Sequence, residues 1–139
     1  MSRLTLALAL AGVVAAGIGL GAAVYTLSGP ASLAARPGGE DVVQQALRAG
    51  KPTVAEFGAN NCASCREMKP VLGQLAREHG DRISVVEIDL LKTSGYIGAY
   101  KIQLMPTQVF FDAQGRETGR HMGKISADEI LARLKAGAR

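Results

Sequence analysis

The chain is 139 residues long, 47% hydrophobic and 20% charged, with a formal net charge of +4; this suits one domain of ordinary size plus a short appendage and leaves little room for a second domain. Of its 16 basic residues Arg3 and Arg36 precede residue 37, and the rest are set against 12 acidic residues, a balance that gives no sign of a nucleic-acid surface. Tryptophan is absent and aromatics make up 4%, so no stacking platform for bases or sugars stands out.

Residues 1–27 are chemically distinct from the rest of the chain. From Leu4 to Leu27 the run LTLALALAGVVAAGIGLGAAVYTL carries no charge, and at about 1.5 Å per residue it is long enough for a hydrocarbon layer of roughly 30 Å. A secretory apolar region is normally about 7 to 15 residues, so the length favours a retained anchor over a cleaved signal. Small residues at 21–23 and 32–35 mark where cleavage would fall. Arg3 precedes the run and Arg36 is the first charge after it, which expects the amino terminus inside and the rest across the cytoplasmic membrane, on the periplasmic side. Residues 28–40 (SGPASLAARPGGE) read as a flexible spacer, and residues 41–139 as the folded domain.

Within that domain, "DVVQQALR" (41–48) spaces its apolar residues as a helix does, with Asp41 as N-cap. "TVAEFGA" (53–59) reads as a buried strand, and a helix follows from near Cys62 to His79 and Gly80. "ISVVEID" (83–89) has the uninterrupted apolar character expected in the interior of a sheet covered on both faces. "TSGYIGAYK" (93–101) is a short helix weakened by Gly95 and Gly98, with Tyr96 and Tyr100 on one packed face. After Pro106, "TQVFFD" (107–112) is a strand, "AQG" a turn, and "RETGRHMG" (116–123) its antiparallel partner, with Met122 as hairpin packing. A final helix over 126–138 opens with Ser126 and Glu129 as a capping box. Strands alternating with helices predict an α/β fold whose sheet has a mainly parallel centre, helices on both faces and an antiparallel edge.

The chain's two cysteines stand in "NNCASC". Cys62 falls at a predicted helix start, where unpaired N–H groups and the helix dipole favour negative charge. Cys65, three residues on, shares its helical face. A reactive thiolate with a second thiol in reach is what dithiol exchange requires: Cys62 attacks a substrate disulfide and Cys65 resolves the mixed disulfide. A structural bridge around two residues would add little stability by loop closure. Zinc wants four ligands, and one CxxC with His79 and His121 supplies no second short-spaced pair. A Cu(I) site of both thiolates with Met105 or His121 is the competing reading, and a redox-inactive binding adaptor is a third.

From Lys51 to about Ala136 the chain resembles the thioredoxin family, in the form of a small membrane-tethered or exported member. "EFGANNCASCREMKP" is similar to the family's strand and active-site segment, with Pro70 where the helix bends, and "MPTQVFF" to the segment that carries its cis-proline; the hairpin and Gly123 also correspond. The resemblance implies the thioredoxin fold, a central mixed sheet with helices on both faces, preceded here by the amino-terminal membrane or signal helix. It also implies a redox-active pair, Cys62 and Cys65, and a buried acid, Glu56, that carries the resolving thiol's proton. Its apolar neighbours Val54, Ala55 and Phe57 favour that role over the alternative, an exposed glutamate at the edge of the sheet. Pro106 alone would be an ordinary trans proline; the resemblance makes it cis, with Met105, Pro106 and Thr107 as the substrate-docking segment. Asn61 replaces the family's usual tryptophan, Ala63-Ser64 its usual Gly-Pro, and Val85 the lysine that accompanies the acid. Forty-one positions from Cys65 to Pro106 leave little space for the insertions of the cytochrome-maturation and disulfide-generating branches.

The expected activity is thiol:disulfide exchange, in the direction of reduction, since Ala63-Ser64 lacks the histidine of strongly oxidising relatives. The resemblance implies no cofactor and no metal. Expected partners are disulfide-containing exported proteins, a dithiol electron donor such as a membrane electron carrier, and the membrane itself through residues 4–27, with no nucleic acid.

Overall fold

The computed structural model describes residues 41–137. The anchor expected over residues 4–27 and the spacer over 28–40 lie outside them. Among the described residues no helix is long and apolar enough to cross a membrane. The elements run α1 (Val42–Leu47), β1 (Thr53–Gly58), α2 (Ala63–His79), β2 (Ser84–Asp89), α3 (Gly95–Ala99), β3 (Thr107–Phe111), β4 (Glu117–Met122) and α4 (Ala127–Gly137), in the order the apolar periodicities predict.

The sheet has the order β2-β1-β3-β4. Only β1 and β2 are parallel; β1 with β3 and β3 with β4 are antiparallel. A mainly parallel centre is thus not what forms. Five residues of α3 advance the chain only about 7 Å, against about 20 Å for a six-residue strand. The link from β2 therefore stays at one end of the sheet, and β3 starts there and runs back. β2 also lies at an edge, not in the interior. Its apolar character reflects helices over both of its faces: Val85 packs on one side and Val86 and Ile88 on the other.

Alternation along β1 sorts the core into two layers. Val54 belongs with Met68, Leu72 and Leu75 of α2, Phe110, and Ile130 and Leu134 of α4. Ala55 and Phe57 belong with Val43 of α1, Ile88, Ile102 and Val109. Glu56 and Gly58 therefore share the α2 side with Val54, which decides what lies beneath the cysteines. Met68 is buried in the core, whereas Met122, expected as hairpin packing, is 55% exposed.

Local chemistry fixes the ends. The Ser126 and Glu129 capping box forms, with Glu129 N–H donating to Ser126 Oγ and Ser126 N–H to Glu129 Oε2. Asp112 accepts from Gln114 and Arg116 N–H, both at 2.9 Å, and so shapes the hairpin turn. There Gly115 adopts φ 76°, a conformation costly for any side chain. Asp41 caps α1 through Val43 and Gln44 N–H and accepts from Tyr100 Oη at 2.9 Å. Tyr100 stacks on Tyr96 at 5.6 Å and lies 4.8 Å from Phe57, so one carboxylate joins α1 to α3. Asp41→Ala removes both functions and is expected to cost about 1–2 kcal/mol, read as a lower denaturant midpoint with an unchanged slope.

Candidate active site

The site forms where β1 runs into α2. Cys62 is the N-cap of α2, in extended conformation, and its carbonyl accepts from Arg66 N–H at 3.1 Å. Its thiol is half-buried, while Cys65, one turn into the helix, is 2% exposed. Both thiols are free. The Cys62 thiol is pulled down to about 7, first by the Cys65 thiol beside it, then by the Ser64 hydroxyl at 3.3 Å, then by the Cys65 N–H. Cys65 is pushed up to about 11, chiefly because burial opposes its charged form and then because its thiol serves Cys62. Donors at the helix start thus stabilise one sulfur as an anion, while burial keeps its neighbour protonated.

Glu56 is 4% exposed and sits on the central strand β1, so it is the buried acid and not an edge glutamate. Burial raises its carboxyl to about 7, against the opposing effect of Gln108, whose Nε2 donates to Glu56 Oε2 at 3.3 Å. Gln108 is its registered neighbour on β3, and Glu87 its registered neighbour on β2. A Cβ placed on Gly58 would lie 3.1 Å from Cys65 Sγ and 3.5 Å from Glu56 Oε1. The Cys65 thiol and the Glu56 carboxyl therefore both border the space that a side chain at Gly58 would have to take. A carboxyl poised near neutral pH beside a thiol of high pKa can pass a proton to it or take one away.

Pro106 follows a cis peptide bond from Met105. Thr107 registers with Phe57 of β1, which puts this turn at the same end of the sheet as the loop to Cys62. Met105 is 39% exposed and Leu104 and Met122 are exposed beside it. Pro106 and Thr107 are buried. Thr107 Oγ1 donates to the Leu104 carbonyl at 2.7 Å, and Gly123 N–H to the Pro106 carbonyl at 2.7 Å. Of the three residues expected to dock substrate, only Met105 presents its side chain; Thr107 shapes the turn from inside.

Several residues here escape sequence reasoning. Lys69 donates from Nζ to Asn60 Oδ1 at 2.6 Å, and Asn60 Nδ2 donates on to Asp89. Its position four residues after Cys65 on one helix was an available signal. Gln108, Glu87 and Asp89 come in through strand register, which no local pattern announces. Among the described residues no group of three or more His, Cys, Asp or Glu is placed to hold a metal ion. His121 Nε2 lies 3.1 Å from the Lys124 carbonyl oxygen.

The thioredoxin family model matches residues 40–136. A chloroplastic thioredoxin Y of Oryza sativa subsp. japonica is 30% identical over 86 residues, 62% of this chain and 51% of that protein. The thioredoxin-like protein HCF164 of Arabidopsis thaliana, also chloroplastic, is 28% identical over 67% of this chain and 36% of its own length. A thioredoxin of Alicyclobacillus acidocaldarius is 30% identical over 66% of this chain and 86% of its own. The chain thus spans about half or less of the two chloroplast relatives. A solved structure titled "Structure of a malarial protein" superposes with TM-score 0.59 at 20% identity, over 64% of this chain and 99% of that one, a likeness of fold.

Two measurements check these electrostatics. Alkylation of the reduced protein should label Cys62 first, rising through pH 7, while Cys65 resists until far more alkaline pH; Ser64→Ala should move the Cys62 midpoint upward. Glu56 ionises near 4.5 when unfolded and near 7 when folded, so its contribution to stability is complete below pH 4.5 and is lost as pH rises through 7. The loss is up to about 3 kcal/mol. Glu56→Gln should flatten that slope in denaturant titrations at pH 5 and pH 8.

Proposed function

Because this chain belongs to the thioredoxin family, we propose that it is a thiol:disulfide oxidoreductase acting through Cys62 and Cys65 in the direction of reduction. The observation that carries this reading is the unequal thiol pair, one near pKa 7 at a half-exposed helix N-cap, the other buried and held near 11. The Cys62 thiolate attacks a substrate disulfide, forms a mixed disulfide and expels the first substrate sulfur as thiolate. Cys65, losing its proton to the Glu56 carboxylate, attacks Cys62 Sγ, and the second substrate sulfur leaves. The substrate ends as a dithiol and the protein as the Cys62–Cys65 disulfide, so two electrons have passed.

Substrate docks as an extended segment along the Met105 turn, where Leu104, Met105 and Met122 offer an exposed apolar rim and adaptable methionine contacts. Residues 4–27 anchor the domain at the cytoplasmic membrane facing the periplasm, its substrates are disulfides of exported proteins, and a dithiol protein such as a membrane carrier restores its electrons. Support for the anchor is the uncharged length of that run.

With dithiothreitol as donor the protein should reduce insulin disulfides, and Cys62→Ser should abolish this. Cys65→Ser should instead accumulate a mixed disulfide with insulin, visible as a band that reducing agent removes. No reduction by the wild type would overturn the reading.

A further inference from the structure

At the end of the sheet away from the cysteines, a groove of about 250 Å³ opens between α4, the end of α2 and the turn into β2. Pro52, Ile83, Leu131 and Leu134 form its floor, and His79, Arg82 and Lys135 line it beside them. The 17 residues of α2 separate it from Cys62 by about 25 Å. We propose that this groove binds one free, unbranched fatty acid of about eight to ten carbons. Its chain lies on the aliphatic floor and its carboxylate on Arg82 and Lys135. The site lies outside the exchange chemistry and does not depend on it.

The groove is preformed. Arg82 and Ile83 N–H both donate to the His79 carbonyl at 2.9 Å, and Ser84 N–H donates to the Pro52 carbonyl at 2.9 Å, so the turn and the strand starts are held together. Ile83 and Leu134 are buried and belong to the core layer that continues inward to Leu75 and Ile130. Among the described residues, four aliphatic side chains line the groove and no carboxylate does. Water gains no partner on such a floor, whereas an alkyl chain gains contact along it.

Size sets the length of the chain. A cavity of about 150 Å³ accommodates benzene, with its six carbons, so a groove of about 250 Å³ takes about eight to ten carbons in proportion. The two acyl chains of a phospholipid exceed that space, and the occupant is therefore a single-chain molecule and not a bilayer lipid.

Charge selects the head group. Arg82 and Lys135 are exposed at the groove, and Lys51, whose Nζ donates to the Gly80 carbonyl at 2.9 Å, adds a cation at the same end of the domain. A guanidinium has no acceptor, so His79 Nδ1, 2.7 Å from Arg82 Nη2, accepts from it and helps to hold it in place. Of the nearby acids, Asp81 lies 3.7 Å from Arg82 Nε with both largely exposed, a pair of little strength. Glu78 accepts from Gln74 Nε2 at 2.9 Å. A neutral apolar occupant would displace water from Arg82 and Lys135 and return nothing. A carboxylate returns charge-assisted hydrogen bonds, and to Arg82 a bidentate pair.

The test uses the full chain in a nanodisc of zwitterionic lipid, with decanoate bearing a mid-chain diazirine as photolabel and mass spectrometry of tryptic peptides as readout. Label should fall on peptides 83–92 and 125–133, which carry Ile83 and Leu131. Octanoate should suppress it about tenfold more effectively than octylammonium, and suppression should strengthen about threefold to fourfold per methylene from hexanoate to octanoate. The double variant Arg82→Glu with Lys135→Glu, read on peptide 125–133, should reverse the preference between the two head groups with unchanged far-ultraviolet circular dichroism. Equal suppression by both head groups in the wild type, or a preference for octanoate that survives the charge reversal, overturns the proposal. Label on peptide 102–116, which carries the Met105 turn, in place of the two named peptides shows a general affinity for apolar surface and overturns it too.

Discussion

Everything at this site depends on β1 lying inside the sheet with α2 packed across one face, because that places a carboxyl and a thiol where water cannot reach them freely. On an edge strand Glu56 would be hydrated and acidic. Between β2 and β3, 4% exposed and beneath a helix, it holds its proton to near neutrality. The same layer buries Cys65 and so keeps it a thiol. The differing behaviour of two identical side chains three residues apart is a property of the packing, since desolvation disfavours charge only on the buried one.

The helix start supplies the other half of that asymmetry. Cys62 takes the N-cap position without a side-chain cap bond of its own, so its sulfur is left to accept from the donors around it. Ser64 contributes a hydroxyl at 3.3 Å, a donor that an apolar dipeptide would lack. Stabilising the thiolate also makes Cys62 a better leaving group. Stabilisation of one sulfur as a thiolate is the condition that thiol–disulfide exchange sets for both attack and departure.

Two surfaces meet this pair, and they differ in kind. The Met105 turn is apolar and exposed, shaped from below by buried Thr107 and by the Gly123 bond to the Pro106 carbonyl. The cleft beyond Cys65 is small and polar, lined by Glu56, Asn60, Lys69, Glu87 and Asp89.

The amino-acid sequence by itself determined the order of elements, the caps at Asp41 and Ser126, and the pairing of a helix-start cysteine with a second thiol one turn on. Each is a local matter, written within four residues or in a period of 2 or 3.6. The resemblance to a family added Glu56 and Pro106, which local rules read as an ambiguous glutamate and an ordinary proline. Only the tertiary structure decided that β2 is an edge strand, that β3 runs antiparallel to β1, and that Met122 is exposed, because hydropathy records whether a face is covered and not which strand lies alongside. Likewise Gln108 and Glu87 reach Glu56 across strand register, and Lys69 reaches Asn60 across a loop. Gln108 and Glu87 are far from Glu56 along the chain, and no spacing rule links residues that only packing brings together.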